Sequence, residues 1–188
     1  TGWNDSTGAA TTRTLTATGT GAAITDAGTT TESLTCAYLV FDVQADGKWL
    51  INSTGDRSYT FTDCTLKKTD GNSGVCVYFP SLAAATRTLT MTRCTVRGRD
   101  SAVSNSMYLS TMGGVYLTDC TIQTGPTSGA GKVSDCLAIG LMGTIPVFKA
   151  TGCTIESNRS GYCSINATSI TAAGTLFSVK NCIINGSG

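Results

Sequence analysis

Histidine is absent from this 188-residue chain, and proline occurs only three times. Without histidine the commonest general base and the commonest metal ligand are both missing. Charge is sparse and balanced, with thirteen basic against twelve acidic residues. No basic stripe forms, so the electrostatic footprint of a nucleic-acid binder is missing. No apolar run approaches the ~20 residues of a membrane-spanning helix. Nine cysteines are present, but none are spaced as CxxC pairs, which argues against a zinc site. No cofactor is expected.

What the chain does have is repetition. The phrases SYTFTDCTL, TLTMTRCTV, GVYLTDCTI, VFKATGCTI and LFSVKNCII end at Leu66, Val96, Ile122, Ile155 and Ile184. With each cysteine set as position zero, apolar residues fall at −5, −3 and +2 in every copy: Tyr59/Phe61/Leu66, Leu89/Met91/Val96, Val115/Leu117/Ile122, Phe148/Ala150/Ile155 and Phe177/Val179/Ile184. A repeat of this kind can bury its apolar face only against its neighbours, which is the logic of a solenoid.

Period-two alternation marks a strand with one buried face, and here the inward parity changes between −3 and zero. A corner must intervene. Position −1 holds Asp63, Arg93, Asp119, Gly152 and Asn181, four of them residue types that tolerate left-handed or turn backbone. A third strand in each repeat is expected within 74–79, 106–109, 136–141 and 163–167. Three strands per coil around an apolar centre predict an all-β, right-handed, single-stranded parallel β-helix of about six to seven coils. Stacking at roughly 4.8 Å lines like positions into columns. The cysteines are 30, 26, 33 and 29 residues apart, so the length differences belong in loops. The connecting stretches are Gly/Ser/Thr-rich, and no helix is predicted.

The whole of 1–188 is read as one domain, with less regular N-terminal coils over 1–58 and regular repeats over 59–188. In the irregular part, Leu15, Ala17, Ala22 and Ile24 fit an initial coil with Thr20 at the cysteine position, and Cys36, Tyr38 and Val40 fit another. Leu39/Phe41/Val43 and Trp49/Ile51 also alternate, so both registers stay open. The chain begins at Thr1 without methionine or signal peptide, and is read as a mature product or an excised fragment.

Cys64, Cys94, Cys120, Cys153 and Cys182 form one predicted interior column, with Cys76, Cys136 and Cys163 as companions further along their repeats. Cysteine packs as a small buried hydrophobe, so a reduced ladder is expected, with disulfides from column to companion as the alternative.

Asp63, Arg93 and Asp119 are the binding or catalytic candidates. Two carboxylates two coils apart would lie about 9.6 Å from each other, near the upper end of the ~6.5 to 9.5 Å separation of inverting glycosidases. An arginine between them argues instead for an ion ladder, because it lowers both acids' pKa values and disfavours a general acid. At +3, Lys67, Arg97, Gln123, Glu156 and Asn185 read as a solvated outer column. Threonine fills −2 (Thr62, Thr92, Thr118, Thr151) and +1 (Thr65, Thr95, Thr121, Thr154), which suits outward strand positions and is also what a flat ice-binding face would present. Sequons stand at Asn4, Asn52, Asn158, Asn166 and Asn185, and matter only in a secretory eukaryote.

The phrases FTDCTL, LTDCTI and ATGCTI resemble the right-handed parallel β-helix of the pectin-lyase-like superfamily, most closely the β-helix modules of bacteriophage tailspikes and other virion proteins. The resemblance covers Tyr59 to Asn185. It implies a virion or extracellular surface location and a noncatalytic structural module, of tail-fibre, tailspike or capsid-decoration type. Its partners would be further copies of itself, a trimer being favoured, or other virion subunits, and a surface glycan is a further expected ligand. Some relatives are polysaccharide lyases or hydrolases, but no catalytic motif matches here residue by residue, and fold does not imply function. A carbohydrate-active enzyme and a Thr-rich ice binder are the alternatives. The last repeat runs almost to the terminus, which leads to the expectation that a neighbouring subunit or further chain covers that edge.

Overall fold

The computed structural model describes residues 13–17, 24–26, 33–43, 50–68, 75–80, 86–98, 106–124, 138–157, 164–170 and 174–186. They form an all-β parallel solenoid of three sheets, with seven, six and six strands. The sheet entering the corner contains Ser33–Ala37, Ser58–Thr62, Thr88–Thr92, Gly114–Thr118, Val147–Thr151 and Leu176–Lys180. The sheet leaving it begins with Arg13–Ala17 and Leu39–Val43 and ends with Ile183–Gly186. The third sheet runs from Ile24–Asp26 through Val77–Phe79 and Met107–Ser110 to Ile165–Ile170. Every pairing is parallel, and each strand bonds to the equivalent strand one coil away.

The predicted columns exist. Phe61, Met91, Leu117 and Ala150 pair in sequence at −3, and Leu66, Val96, Ile122 and Ile155 at +2, all buried. Burying such a side chain contributes about 1.5 to 3 kcal/mol, and stacking neighbours is the only way these short strands can achieve it. Aromatic contacts run both across and along the columns: Tyr59 meets Phe79 of another sheet edge-on at 5.2 Å, and Phe148 stacks on Phe177 of the next coil at 4.9 Å.

Among the described residues, the corner between these two sheets is a single left-handed residue in each of six coils. Tyr38, Asp63, Arg93, Asp119 and Asn181 have φ between 50° and 56°, and Gly152 has φ 66°. One residue with positive φ reverses which face the next side chain takes, and so switches the inward parity.

Two N-terminal expectations are corrected. Cys36 does not start a Cys36/Tyr38/Val40 inward set. It pairs with Phe61 in the −3 column, Tyr38 is the exposed corner, and Leu39 takes position zero. The alternative reading with Leu39 and Phe41 inward is therefore the correct one. In the first coil Leu15 pairs with Phe41, which gives position zero to Arg13 rather than Thr20; Thr20 lies outside the described residues. The −1 tyrosine hid this sixth copy of the phrase, because nothing in a tyrosine's chemistry advertises positive φ.

Candidate functional site

The thiol column forms at the corner for a reason visible in the backbone. At −1 the amides donate forward to the next coil: Asp63 to Thr92 O, Arg93 to Thr118 O and Asp119 to Thr151 O, at 2.9 to 3.0 Å. At +1 they donate backward, Thr95 to Cys64 O, Thr121 to Cys94 O and Thr154 to Cys120 O, at 2.8 to 2.9 Å. The amide at position zero sits where the direction reverses, and a sulfur from the following coil takes it. Cys120 N–H donates to Cys153 Sγ at 3.5 Å, and Cys153 N–H to Cys182 Sγ at 3.3 Å. Each thiol in turn donates to the −2 carbonyl of its own coil, at 3.3 Å for Cys64 and Cys94 and at 3.2, 3.4 and 3.2 Å for Cys120, Cys153 and Cys182. Cysteine is thus both core filler and amide acceptor, where a valine could only fill.

The column cysteines are free thiols, four of them buried and Cys182 half-buried. Hydrogen bonding to Cys94, and then burial, push the Cys64 thiol up; Cys153 and Cys94, and then burial, do the same to Cys120. The same bonds pull Cys94 and Cys153 down. What lowers them is neighbouring thiols and amides rather than a cation, with burial acting in the opposite direction.

Cys76 is also free and fully buried, and burial pushes its thiol up to about 12 against the pull of Lys68. It does not head a companion column of cysteines. The backbone bonds of the third sheet align Cys76 with Leu50, Ser106, Ala138 and Ser164. Cys136 and Cys163 lie outside the described residues, two and one positions ahead of Ala138 and Ser164.

Asp63, Arg93 and Asp119 occupy successive corners, as the repeat requires, but do not converge on one point. Arg93 turns back to Asp63 in a two-pronged bond, Nε to Oδ1 and Nη2 to Oδ2, both 2.7 Å. Asp119 leans the other way, its Oδ1 lying against the place a β-carbon on Gly152 would occupy. Arg93 holds the Asp63 carboxyl below its ordinary range, and Asp63 raises the guanidinium. The +3 column is laddered too. Lys67 pairs with Asp42 at 3.2 Å, and Glu156 accepts from Gln123 at 2.5 Å and from Asn185 at 3.1 Å.

Sequence reasoning missed Arg87, which is fully buried. Its Nη1 donates to Ser53 O and Gly55 O at 2.7 and 2.9 Å, and its Nη2 to Ser110 O at 3.0 Å and to Pro80 O. The guanidinium carbon lies 5.1 Å from the Phe79 ring centre. Asp56 caps the same segment by accepting from the amides of Thr86 and Arg87 and from the Thr86 hydroxyl, each at 2.8 Å. Burial raises the Asp56 carboxyl, but these bonds and the Arg87 charge together lower it. Ser106 and Ser164 act similarly: each accepts from an amide, Gly98 at 3.1 Å and Ser157 at 3.2 Å, and donates to a carbonyl of the next coil, Gln123 or Asn185. A lone Arg or Ser in a loop gives no sequence signal of this.

The threonine columns pair coil to coil, Thr62, Thr92, Thr118 and Thr151 at −2 and Thr65, Thr95, Thr121 and Thr154 at +1. Beside the −2 column on the entering sheet, position −4 runs Thr60, Thr90, Tyr116 and Lys149. Among the described residues no three His, Cys, Asp or Glu side chains are grouped to hold a metal ion. Comparison with protein-family models, with curated proteins and with solved structures finds no match.

Proposed function

We propose that this chain is a noncatalytic structural module of an exposed assembly, of the virion tail-fibre, tailspike or decoration kind, that self-associates and presents its outer faces to a host or glycan surface. One observation carries the reading: several of the charged side chains among the described residues tie one coil to the next. Arg93 is held by Asp63, Arg87 by carbonyls from 53 to 110, and Glu156 by Gln123 and Asn185. Axial bonds of this kind suit a rod that must persist, whereas a hydrolase needs acids free to exchange protons with substrate.

Light scattering on the folded protein tests self-association, with a mass near three times the 19.3 kDa protomer expected. A folded monomer at all accessible concentrations overturns that part. A screen against acidic and neutral polysaccharides tests the rest: binding without cleavage is expected, whereas cleavage abolished by Asp119→Asn would replace this reading with the enzyme.

A further inference from the structure

The thiol column has a geometry that a disulfide does not use and a metal can. Residues at +1 and +2 pair in register from coil to coil, so the cysteines stack one above another. Each Sγ lies 3.2 to 3.4 Å from the −2 carbonyl of its own coil, so the same side-chain orientation recurs five times. A repeated orientation on stacked strands sets neighbouring sulfurs no further apart than about one strand spacing, roughly 4.8 Å, within reach of the thiol–thiol hydrogen bonding that links the column.

A disulfide needs β-carbons about 3.5 to 4.5 Å apart and sulfurs bonded at about 2.05 Å, so forming one would draw two coils together. Two metal–sulfur bonds of about 2.3 Å in a line span ~4.6 Å and leave the strands in place. No three ligands gather at one point among the described residues, so four-coordinate zinc has no site here. Pairs of thiolates suit soft, two-coordinate cations such as Cu(I) and Ag(I). The amides of Cys120 and Cys153 already point at sulfur, and such donors favour the thiolate that a metal requires.

We propose that the column Cys64–Cys94–Cys120–Cys153–Cys182 binds soft monovalent cations, one between each adjacent pair of thiols. The first ion displaces two thiol protons and forms two metal–sulfur bonds, with no change of oxidation state. Each further ion in an adjoining interval shares a thiolate and displaces one proton more. A filled column therefore holds four cations on five thiolates and has released five protons. Half-buried Cys182 is the most accessible thiol for loading.

The test is anaerobic titration of the intact, reduced chain with silver ion, read by proton release, sulfur-to-metal ultraviolet absorption and X-ray absorption at the metal. Up to four ions held by two sulfurs each are expected, with the fold retained by circular dichroism. Removing an internal member with Cys120→Ala deletes two intervals and costs two ions. Cys182→Ala costs one, and Cys36→Ala, which lies in a different column, costs none. Cys120→Ser, which retains an acceptor for the Cys94 amide, serves if the alanine variant does not fold. Stoichiometry that falls equally for Cys36→Ala and Cys120→Ala overturns the proposal, as does silver bound by a single sulfur or only after the fold is lost.

Discussion

At the scale of single residues, cysteine at position zero is explained by what its amide neighbour lacks. Replacing Cys94 with Val keeps the position apolar, with a slightly larger side chain, but removes the acceptor for the Cys64 amide of the preceding coil. A loss of about 1 to 3 kcal/mol is expected from the orphaned donor, read from urea midpoints, with Cys94→Ser losing less. Equal stability of Val and wild type would refute the acceptor role. Cys94→Asp should be worse than either, because it buries a charge without a cation. Arg87→Met leaves carbonyls of Ser53, Gly55, Pro80 and Ser110 without their buried partner. A loss on the order of 3 to 5 kcal/mol is expected, and thermal melting will show it. The cysteine ladder was readable from spacing alone, since five copies share one register. Arg87 was not, because its role depends on carbonyls brought from residues 53 to 110, and no local pattern announces such a meeting.

At the scale of elements, the unit is strand, left-handed corner, strand. Gly152→Ala places a β-carbon at φ 66° and against Asp119 Oδ1. The backbone part costs about 1 to 2 kcal/mol, and the steric part can be relieved by the neighbour. Gly152→Ala should therefore cost less in an Asp119→Ala background than alone, and a double-mutant cycle in urea measures the difference. Additivity would mean that the aspartate is not the obstacle. The acids near the corners also set a pH dependence. Asp63 and Asp56 have carboxyls lowered from 3.8 in the fold. A depressed acid contributes stability that is complete above its unfolded value and lost as pH falls through its folded value. Stability should thus decline from about pH 4 downward, and Asp63→Asn with Asp56→Asn should flatten that limb in melts between pH 2 and 6. The corner at Asp63, Arg93, Asp119, Gly152 and Asn181 was legible as a parity switch. The equivalent corner at Tyr38 was not, because a neighbouring strand rather than the residue's own preference imposes its φ.

At the scale of the whole molecule, three parallel sheets stack short strands that have no core of their own, so stability is a sum over neighbouring coils. Cutting one interface should then be felt locally before it is felt globally. Hydrogen exchange on Leu117→Ala is expected to show faster exchange in the adjacent coils, around Met91 and Ala150, than at Ile51; uniform loss of protection would mean the rod opens as one unit. The sequence by itself determined the solenoid, its three-strand coil, its corner and its inward columns, because these follow from periodicity, which one chain displays in full. Only the tertiary structure decided that Leu39 continues the thiol column beyond Cys64, that Arg93 belongs to Asp63 while Asp119 leans over Gly152, and that Arg87 is an internal tie. Those outcomes depend on which coil a side chain faces and on which backbone groups the corners leave without a partner, and both are settled only when the coils are stacked.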